Sequence, residues 1–266
     1  MDASIIIVNY NTKDLTLDCI DSVLGEGSSL KKEIIVVDNG STDGSIDSLE
    51  KLQKNEIIQL IKNNENIGFA KANNQGIKIA KAQYILLLNS DTKVKKHAIE
   101  KLVAFAQKDE SLGSVGSKLL NPDGTVQASA FPLPTITRAI KQYWFGEKGL
   151  LDKYAPKGIK PVEVEVLVMA AFLITPEAIK KVGLLNEKYF MYFEDFDYCR
   201  AILNAGLKIY YLPTSEVIHY HGASGKKVAN DENQWRRLIP SSKIYHGLIR
   251  HAIFNFILWS GQKLQI

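Results

Sequence analysis

Four short, mainly aliphatic segments separated by helix-like stretches constrain what this chain can fold into. They lie at residues 4–8, 33–37, 57–61 and 84–88. Hydrophobic side chains fall on both faces of each segment, which is typical of strands that are covered on both sides in a parallel sheet. Helical periodicity follows Thr12, a residue that can cap a helix, and returns over residues 45–53 and 73–81. The alternation predicts βαβ units and an α/β fold with an open, mostly parallel sheet flanked by helices.

The predicted strands end on polar residues. Asn9-Tyr10-Asn11 follows the first strand, a stretch that begins at Asp38 follows the second, and Asn89-Ser90-Asp91 follows the fourth. In open α/β sheets, ligands bind in the crevice beyond the carboxyl ends of the strands. The sequence therefore predicts a ligand site built from these loops.

Asp91 needs an explanation, because a buried carboxylate at the end of an apolar strand is costly unless a cation or hydrogen-bond donors meet it. Two interpretations are open. Ser90, Asp91 or Thr92 can cap a helix predicted over residues 95–107. Alternatively, Asp91 can hold Mg²⁺ or Mn²⁺ whose other ligands are phosphate oxygens.

His219 and His221 lie two positions apart near the end of a predicted strand, so their side chains share a face if the strand continues. Such histidines are often ordinary surface or core residues. Beside a carboxylate at the sheet crevice they become candidate metal ligands. We favour His219, because it ends the apolar run.

Three carboxylates, Glu194, Asp195 and Asp197, lie within an aromatic stretch of the sequence. Aromatic surroundings raise the pKa of a carboxyl group and make it a better base near neutral pH. The alternative is the acidic first turn of a helix over residues 195–204, stabilised by the helix dipole. Both interpretations can hold for different members: Asp195 then faces a pocket, and Asp197 faces Arg200 or solvent.

The second half of the chain alternates less regularly. Residues 121–124, Asn-Pro-Asp-Gly, predict the turn of a hairpin between residues 115–120 and 125–129. Residues 131–161, with several prolines and aromatic side chains, predict a long irregular connection. After it we expect a long strand over residues 162–174, a helix that begins at Thr175-Pro176, and strands over 207–212 and 216–219.

The C-terminal region carries an excess of positive charge. The whole chain has a formal net charge of +4, whereas residues 224–266 hold seven Lys or Arg residues and two acidic ones. We expect a basic amphipathic helical tail that contacts an anionic membrane surface, forms a dimer interface or packs as a core helix. Its longest apolar segment, residues 252–259, falls short of the roughly 20 residues that a membrane-spanning helix needs.

The two cysteines, Cys19 and Cys199, lie in helix-like stretches without metal-binding spacing. This pattern favours a reducing compartment. Since the N-terminus also lacks a signal-peptide pattern, we expect a cytoplasmic protein, peripheral on the inner face of the plasma membrane if the tail binds lipid.

Seven motifs, in order, carry a resemblance to a known family. They are SIIIVNYNTKDL, EIIVVDNGSTDGS, NENIGFAKANNQGI, YILLLNSDTKV, KLLNPDGTVQ, YFMYFEDFDYC and VIHYHGAS. The chain resembles the family 2 glycosyltransferases of GT-A fold, in particular the bacterial rhamnosyltransferase-like branch that builds surface polysaccharides. The resemblance implies a GT-A domain over residues 1–225, with a nucleotide-sugar-binding half (1–112) and an acceptor-binding half (113–225), followed by the tail over residues 226–266.

The resemblance also implies roles for individual residues. The donor, a dTDP- or UDP-sugar, would be bound by Val8, Asn9, Tyr10, Asn11, Asp38, Asn66, Gly68, Lys71, Asn89 and Ser90. Mg²⁺ or Mn²⁺ would be held by Asp91, at the metal-binding position of the D-x-D motif, and by His219. Asp195 would be the general base of an inverting enzyme. The acceptor would contact Met169, Ala170, Tyr192 and Glu194.

The chain departs from the family pattern in several places. The D-x-D motif reads Asn89-Ser90-Asp91, so only its last carboxylate is present. Met169-Ala170-Ala171 stands where relatives often have a glycine-alanine pair, and residues 184–187, Leu-Leu-Asn-Glu, replace Phe-Asp-Glu, so we expect an unusual acceptor pocket. Residues 234–238, from Gln234 on, match the Q-x-x-R-W motif of processive synthases up to its last residue only. Processive synthesis is therefore not expected.

Other enzyme classes fit poorly. The first loop, NYNTKD, contains no glycine, which argues against a dinucleotide-binding oxidoreductase, and the Gly-Lys-Ser/Thr turn of a P-loop is absent. We predict an inverting, metal-dependent transferase that moves a sugar from dTDP-rhamnose or a UDP-hexose to a hydroxyl group of a polysaccharide or a polyprenyl-diphosphate-linked glycan. No nucleic acid partner is expected. The alternative is a catalytically silent sugar-nucleotide-binding or scaffold subunit, which the incomplete D-x-D motif motivates.

Overall fold

The computed structural model describes residues 1–220 and 235–264. Within these ranges the strands are β1 (Ala3–Asn9), β2 (Lys32–Asn39), β3 (Gln59–Asn63), β4 (Tyr84–Asn89), β5 (Thr92–Val94), β6 (Leu112–Leu120), β7 (Val126–Gln127), β8 (Ala130–Phe131), β9 (Val162–Glu163), β10 (Val166–Leu167), β11 (Ala171–Ile174) and β12 (Lys208–His219). The helices are α1 (Lys13–Leu24), α2 (Ser45–Lys54), α3 (Phe69–Ile79), α4 (Ala98–Ala106), α5 (Ile136–Trp144), α6 (Pro176–Lys181), α7 (Glu194–Asn204), α8 (Trp235–His246) and α9 (Leu248–Leu264).

Most of the strands join one large mixed sheet. Its order is β3-β2-β1-β4-β11-β6-β12-β5, with β7 paired to β6 and β9 paired to β12. β1 pairs in parallel with β2 and β4, and β2 pairs in parallel with β3. β11 inserts antiparallel between β4 and β6. The prediction of a mostly parallel sheet is confirmed.

The register of the central strands brings the polar strand ends together. Asn9 lies opposite Asp38 on β2, and Val8 lies opposite Asn89 on β4. The loops that follow these three strands therefore start at one edge of the sheet. This is the edge at which open α/β sheets bind ligands.

The two faces of β1 enter different cores. Ile5 and Ile7 belong to a core that includes side chains of α1 and α4, and Ile6 belongs to a core that includes side chains of α3 and α7. Gly76 allows α3 to lie close to the sheet, because a Cβ there would be 2.6 Å from Ile6 Cγ2. Helices thus cover both faces of β1, as its aliphatic segment predicts.

The segment after β4 differs from the expectation. Residues 92–94 form β5, which pairs antiparallel with the end of β12. α4 begins only at Ala98, several residues beyond Ser90, Asp91 and Thr92. The inward side chains of β5 are buried and β-branched, which favours extended structure. The capping interpretation of Asp91 is therefore wrong.

Thr12 precedes α1 but does not cap it with its side chain. Its hydroxyl donates to Asn9 Oδ1 at 2.9 Å instead. Thr12 is therefore the N-cap residue of α1, as predicted, but its hydroxyl supports the loop after β1 and does not accept a hydrogen bond from the helix.

Two predictions for the middle of the chain are wrong. The long strand expected over residues 162–174 is three short strands, because the chain bends at residue 165 and turns at residues 169–170 before β11 enters the sheet. The irregular connection expected over residues 131–161 contains α5, whose first turn is capped by Thr135 Oγ1, which accepts a backbone hydrogen bond at 3.2 Å. A threonine cap of this kind is a helix start signal that the proline-rich context obscured.

The last strand is longer than predicted. The strands expected over residues 207–212 and 216–219 form one strand, β12. Its register to β6 shifts between Leu212 and Glu216, a bulge that includes a proline unable to donate to the ladder. The hairpin turn predicted at residues 121–124 is confirmed by the antiparallel pairing of β6 with β7.

The C-terminal helices pack against the rest of the molecule. α9 lies against α5, and a Cβ on Gly261 would be only 2.5 Å from Tyr143 Cβ. Trp144 Nε1 donates to Ser260 Oγ at 2.8 Å. These contacts tie the predicted helical tail to the sheet domain through α5.

Residues 221–234 lie outside the described structure, and with them the domain boundary predicted at residue 225, His221 and Gln234. Within the described ranges, no helix combines the length and the hydropathy needed to cross a membrane.

Candidate functional site

A cavity of about 490 Å³ opens beyond the carboxyl ends of β1, β2 and β4. Its volume lies within the range of small-molecule binding sites. Six residues predicted to bind the donor line it: Val8, Tyr10, Asn66, Gly68, Asn89 and Ser90. Four residues predicted to act on or contact the acceptor line it as well: Met169, Tyr192, Glu194 and Asp195. The fold thus brings both predicted halves of the site to one cavity.

Asn9 and Asp38 do not line the cavity but form a network next to it. Both are fully buried, and Asn9 Nδ2 donates to Asp38 Oδ2 at 2.6 Å. The Ser41 backbone N–H donates to the other Asp38 oxygen at 2.9 Å, and Ser41 Oγ accepts from Asn9 Nδ2 at 3.0 Å. This network fixes the loops after β1 and β2. Direct contact of either residue with a donor stays a prediction.

Three further predicted residues do not line the cavity. Asn11 has a left-handed φ of 54°, and its Oδ1 accepts from the Thr42 backbone N–H at 2.7 Å. Lys71 is exposed on α3. Ala170 is fully buried, and its carbonyl accepts from the backbone N–H of Asn89 at 3.0 Å. Ala170 therefore supports the end of β4, and the ligand contacts expected of all three stay predictions.

An asparagine pair shapes the loop before α3. Asn66 Oδ1 accepts from Asn39 Nδ2 at 2.9 Å and from the Gly68 N–H at 3.0 Å. Gly68 has a φ of 92°, and a Cβ there would lie 2.7 Å from the carbonyl oxygen of Phe190. Only glycine allows this close approach. This contact between Gly68 and Phe190 holds the donor-side loop against the segment that leads into α7.

Asp91 and His219 form a buried pair beside the cavity residues of β4. Asp91 is 1% exposed and His219 is 5% exposed, and His219 Nε2 lies 3.5 Å from Asp91 Oδ1. The pairing of β5 with β12 creates this proximity, since it sets Thr92 opposite His219. The structure thus brings together the two residues predicted to hold a metal ion.

The donor atoms of this pair fit a divalent ion. A carboxylate suits Mg²⁺ or Mn²⁺, and imidazole nitrogen is a common metal ligand. Two ligands of one ion, each bound at about 2.1 Å, lie about 3.0–3.5 Å apart, which agrees with the observed 3.5 Å. Over residues 1–220 and 235–264, no group of three or more His, Cys, Asp or Glu side chains is arranged to hold an ion. Phosphate oxygens of a bound donor or water could complete the coordination of an ion held by Asp91 and His219.

The segment before α7 has unusual backbone geometry. Tyr192 and Phe193 adopt left-handed φ values of 69° and 68°, which cost on the order of 1–3 kcal/mol for each residue. The Phe193 ring packs 5.3 Å from the ring of Tyr245 on α8. This strained turn sets Glu194 and Asp195, the first residues of α7, in the cavity wall.

Burial raises the pKa of both carboxyl groups. The pKa of Asp195 rises to about 6, although the Phe196 backbone N–H and the charge of Lys153 act in the opposite direction. The pKa of Glu194 rises to about 8, first through burial and then through the negative charge of Asp195. Within the described residues Glu194 Oε2 has no hydrogen-bond partner. Burial therefore favours the protonated form of both carboxyl groups, and the negative charge of Asp195 adds to this effect at Glu194.

Asp197 has different surroundings. Its Oδ1 lies 2.6 Å from Arg200 Nη2, and that guanidinium lies 3.9 Å from the centroid of the Tyr245 ring. The prediction that Asp195 faces the pocket while Asp197 pairs with Arg200 is confirmed.

Several residues that line the cavity lie outside the sequence-predicted site, among them Phe131, Lys153 and Leu238. Lys153 Nζ lies 5.6 Å from the centroid of the Phe131 ring, and burial lowers the pKa of Lys153. Both residues belong to the stretch predicted as an irregular connection. The length of that connection was a usable signal, because long loops often carry binding residues.

The chain matches the family model described as "Glycosyl transferase family 2" over residues 4–156, more than half of its 266 residues. The chain belongs to glycosyltransferase family 2. The matched range contains the donor-side loops and Asp91, whereas Asp195 and His219 lie beyond it. Membership of this family makes the protein a glycosyltransferase, in agreement with the prediction from the sequence.

Two named relatives cover most of the glycosyltransferase. This chain is 26% identical to N-acetylglucosaminyl-diphospho-decaprenol L-rhamnosyltransferase of Mycobacterium tuberculosis over 208 residues. The aligned region covers 72% of this chain and 67% of the relative. It is 24% identical to dTDP-rhamnosyl transferase RfbF of Shigella flexneri over 227 residues, and the aligned region covers 84% of this chain and 70% of the relative. The resemblance to the rhamnosyltransferase-like branch is confirmed.

Two solved structures share the fold of this glycosyltransferase. The structure of GalNAc-T7 with UDP, GalNAc and Mn²⁺ superimposes with a TM-score of 0.65 at 20% identity, over 82% of this chain but only 44% of that chain. Staphylococcus aureus TarS (residues 1–349) superimposes with a TM-score of 0.58 at 17% identity, over 97% of this chain and 69% of that one. The predicted GT-A fold is confirmed.

Proposed function

We propose that this glycosyltransferase is an inverting, metal-dependent enzyme that moves a sugar from a nucleotide-diphospho-sugar to a hydroxyl group of a glycan or lipid-linked acceptor. The observation that carries the proposal is the position of Asp195. This carboxylate, with its pKa raised to about 6, faces the same cavity as Asn89 and Ser90 at the end of β4. A base and a donor site that open to one cavity are what a single displacement requires.

In the proposed reaction, Asp195 accepts the proton of the acceptor hydroxyl. The hydroxyl oxygen forms a new bond to the anomeric carbon, on the face opposite to the leaving group. The bond between that carbon and the diphosphate oxygen breaks, and its electron pair stays on the nucleoside diphosphate. The anomeric configuration is therefore inverted. Glu194, whose pKa is raised by burial and by the charge of Asp195, would donate a hydrogen bond to the acceptor when it is protonated.

Asp91 and His219 would hold Mg²⁺ or Mn²⁺ beside the donor diphosphate. Such an ion supplies positive charge that offsets the negative charge developing on the leaving group. The structure of GalNAc-T7, a protein of the same fold, contains UDP and Mn²⁺. This supports the choice of a divalent ion and a nucleoside diphosphate as the ligands of the site. The 3.5 Å separation of the two side chains supports it as well.

Donor turnover by the wild-type protein and by Asp195→Asn tests the proposed base. With Mn²⁺ and an acceptor, we expect the variant to lose activity by about 10²–10⁴-fold, while its thermal stabilisation by nucleotide is unchanged. Asp197→Asn is the matched control, because Asp197 pairs with Arg200, and it should remain active. If wild type and variant both bind nucleotide and neither turns it over, the silent-subunit alternative is the better description.

The donor is proposed to be dTDP-rhamnose, with UDP-hexoses as the second choice. The names of the two rhamnosyltransferase relatives support this order. A thermal-shift screen of dTDP, UDP and their sugars, each with and without Mn²⁺, ranks the candidates. Stabilisation by UDP-sugars alone would remove rhamnose from the proposal. Product analysis by NMR then checks inversion at the anomeric carbon.

The acceptor is proposed to be a polyprenyl-diphosphate-linked glycan, as the name of the mycobacterial relative suggests. Such an acceptor would place the enzyme, which we expect to be cytoplasmic, at the inner face of the membrane. On α9, Ile249, Ile253, Phe256 and Trp259 recur at helical spacing and are between 41% and 78% exposed. Residues 235–264 also contain five Lys or Arg residues and no Asp or Glu. Apolar and basic side chains combined in this way are typical of helices that bind anionic bilayers.

A homodimer through the same exposed face of α9 is the competing arrangement. Flotation with vesicles of anionic phospholipid separates the two. We expect the wild-type protein to float and Phe256→Ser/Trp259→Ser to remain in solution. Leu24→Ser, which changes an exposed apolar residue of α1, is the control and should float. Equal flotation of all three proteins, with a dimer in light scattering, would favour the homodimer.

A further inference from the structure

The ring of His219 is hydrogen-bonded to Gln127, which is in turn hydrogen-bonded to Asn121. Neither residue has a role in the reaction proposed above. Gln127, at the end of β7, is buried. Its Nε2 lies 2.8 Å from Asn121 Oδ1 and 3.2 Å from the main-chain oxygen of His219. Its Oε1 lies 2.7 Å from His219 Nδ1. The side chain of Gln127 therefore contacts both the backbone and the ring of the histidine.

The main-chain carbonyl decides which way the Gln127 amide points. A carbonyl oxygen can only accept a hydrogen bond, so the amide atom that faces it is the NH₂ group. The amide oxygen then faces the ring of His219. Because this oxygen also can only accept, the ring nitrogen opposite it, Nδ1, must carry a proton.

The second ring nitrogen of His219 faces Asp91. Nε2 lies 3.5 Å from Asp91 Oδ1, and Asn89 Nδ2 lies 3.5 Å from Nε2. In a neutral imidazole with a proton on Nδ1, Nε2 carries the lone pair. A lone pair directed toward a carboxylate oxygen is unfavourable in a buried site, and a cation between the two atoms removes the repulsion.

The opposite tautomer would suit a metal-free site. With the proton on Nε2, His219 could donate directly to Asp91 Oδ1, and the atom needed for metal binding would be occupied. The acceptor oxygen of Gln127 disfavours this tautomer, because it requires the proton on Nδ1. Gln127 therefore favours a proton on Nδ1, whereas the Asp91 carboxylate alone would favour a proton on Nε2.

We propose that Gln127 is a positioning residue that keeps His219 protonated on Nδ1, so that Nε2 is available to a divalent ion shared with Asp91. The inference rests on the proposed metal role of His219 and Asp91. Hydrogen-bond partners of metal-binding histidines typically change metal affinity by about 10–100-fold.

Two variants of Gln127 separate tautomer control from general structural support. Gln127→Met and Gln127→Glu both remove the NH₂ group that donates to Asn121 and to the His219 carbonyl. Only Gln127→Glu keeps an oxygen that can accept from Nδ1–H. We therefore expect both variants to lose stability but to differ in the histidine tautomer.

The tautomer is read directly, without metal or turnover. Long-range ¹H–¹⁵N NMR of the ¹⁵N-histidine-labelled, metal-free protein at pH 8 distinguishes protonated from unprotonated ring nitrogens. The chain has five histidines, and loss of one set of signals in His219→Asn assigns them. We expect a proton on Nδ1 in the wild type and in Gln127→Glu, and on Nε2 in Gln127→Met. A proton on Nε2 in the wild type would overturn the inference.

Metal affinity is measured by titrating Mn²⁺ in the presence of UDP and following the EPR signal of free Mn²⁺. Gln127→Met should bind Mn²⁺ about 10–100-fold more weakly than wild type, and Gln127→Glu should not. Gln53→Met, on the exposed face of α2, controls for the substitution itself. Equal losses in both Gln127 variants would show structural support only and overturn the inference. If the wild type binds no Mn²⁺, the proposed metal role fails, while the NMR result still decides the tautomer.

Discussion

Replacing Asp195 by asparagine should stabilise the folded protein at alkaline pH while removing its proposed base. Burial raises the pKa of Asp195 from 3.8 to about 6. A carboxyl group whose pKa is higher in the folded state binds its proton more tightly there than in the unfolded chain. The free energy of unfolding therefore falls as the pH rises from the pKa of the unfolded state to the pKa of the folded state. Above the folded-state pKa this loss of stability is complete.

The size of this effect follows from the shift. One pKa unit corresponds to about 1.36 kcal/mol, so a fully buried group with this shift would lose about 3 kcal/mol. Asp195 is partly accessible and interacts with the neighbouring Glu194, so we expect neutralisation to recover about 1–2 kcal/mol. For a chain of this size, each kcal/mol raises Tm by about 2–4 °C. Asp195→Asn should therefore melt about 2–8 °C above the wild type at pH 8.

Calorimetric melting at pH 8 and pH 4 measures the effect and its sign. At about pH 4 the difference should shrink to less than half, because Asp195 of the folded wild type is then protonated. Asp197→Asn is the control: its carboxylate lies 2.6 Å from Arg200 Nη2, so neutralising it should not stabilise the protein. If Asp195→Asn is no more stable than wild type at pH 8, or if its advantage is independent of pH, the carboxylate is not destabilised by burial.

Three further changes test the site and its supports. Gly68→Ala should weaken nucleotide binding in calorimetric titration, because its Cβ would lie 2.7 Å from the Phe190 carbonyl oxygen; Gly124→Ala, at a similar φ with nothing near the added Cβ, should not. The kcat/KM of the wild type should rise with pH through an apparent pKa near 6 as Asp195 ionises, and a fall over that range would contradict its role as base. Gly261→Ala should lower the free energy of unfolding in urea by about 1–3 kcal/mol, since its Cβ would lie 2.5 Å from Tyr143 Cβ; an unchanged value would mean that α9 contributes little to stability.

Three of the first four strands, β1, β2 and β4, could be predicted because each carries its own signal, whereas β3 (Gln59–Asn63) is only half-buried and begins two residues after the predicted segment 57–61. A short aliphatic run is covered on both faces and then ends on a polar loop, and both features are local. β5 has no such signal, because residues 92–94 become a strand only by pairing with β12. The break at residues 169–170 is also set by distant partners, since β11 must enter the sheet between β4 and β6.

The candidate site divides in the same way. Asp91, Asp195 and His219 stand in motifs that identify them one by one. Gln127 ends the motif KLLNPDGTVQ, but its proposed role depends on the fold, which brings it to a histidine 92 positions away. The left-handed φ values of Tyr192 and Phe193 also carry no local signal, since neither residue is a glycine.

The strained turn before α7 links the C-terminal helices to the proposed base. Ser241 of α8 donates to the Met191 carbonyl at 2.8 Å, and Tyr245 packs on Phe193, so contacts from α8 offset the cost of the left-handed residues. Removal of residues 235–264 should therefore reduce transfer to soluble and lipid-linked acceptors alike. Phe256→Ser/Trp259→Ser, confined to the exposed face of α9, should reduce only transfer to the lipid-linked acceptor. If the truncated protein kept full activity on a soluble acceptor, α8 would not be needed to hold Asp195 in place.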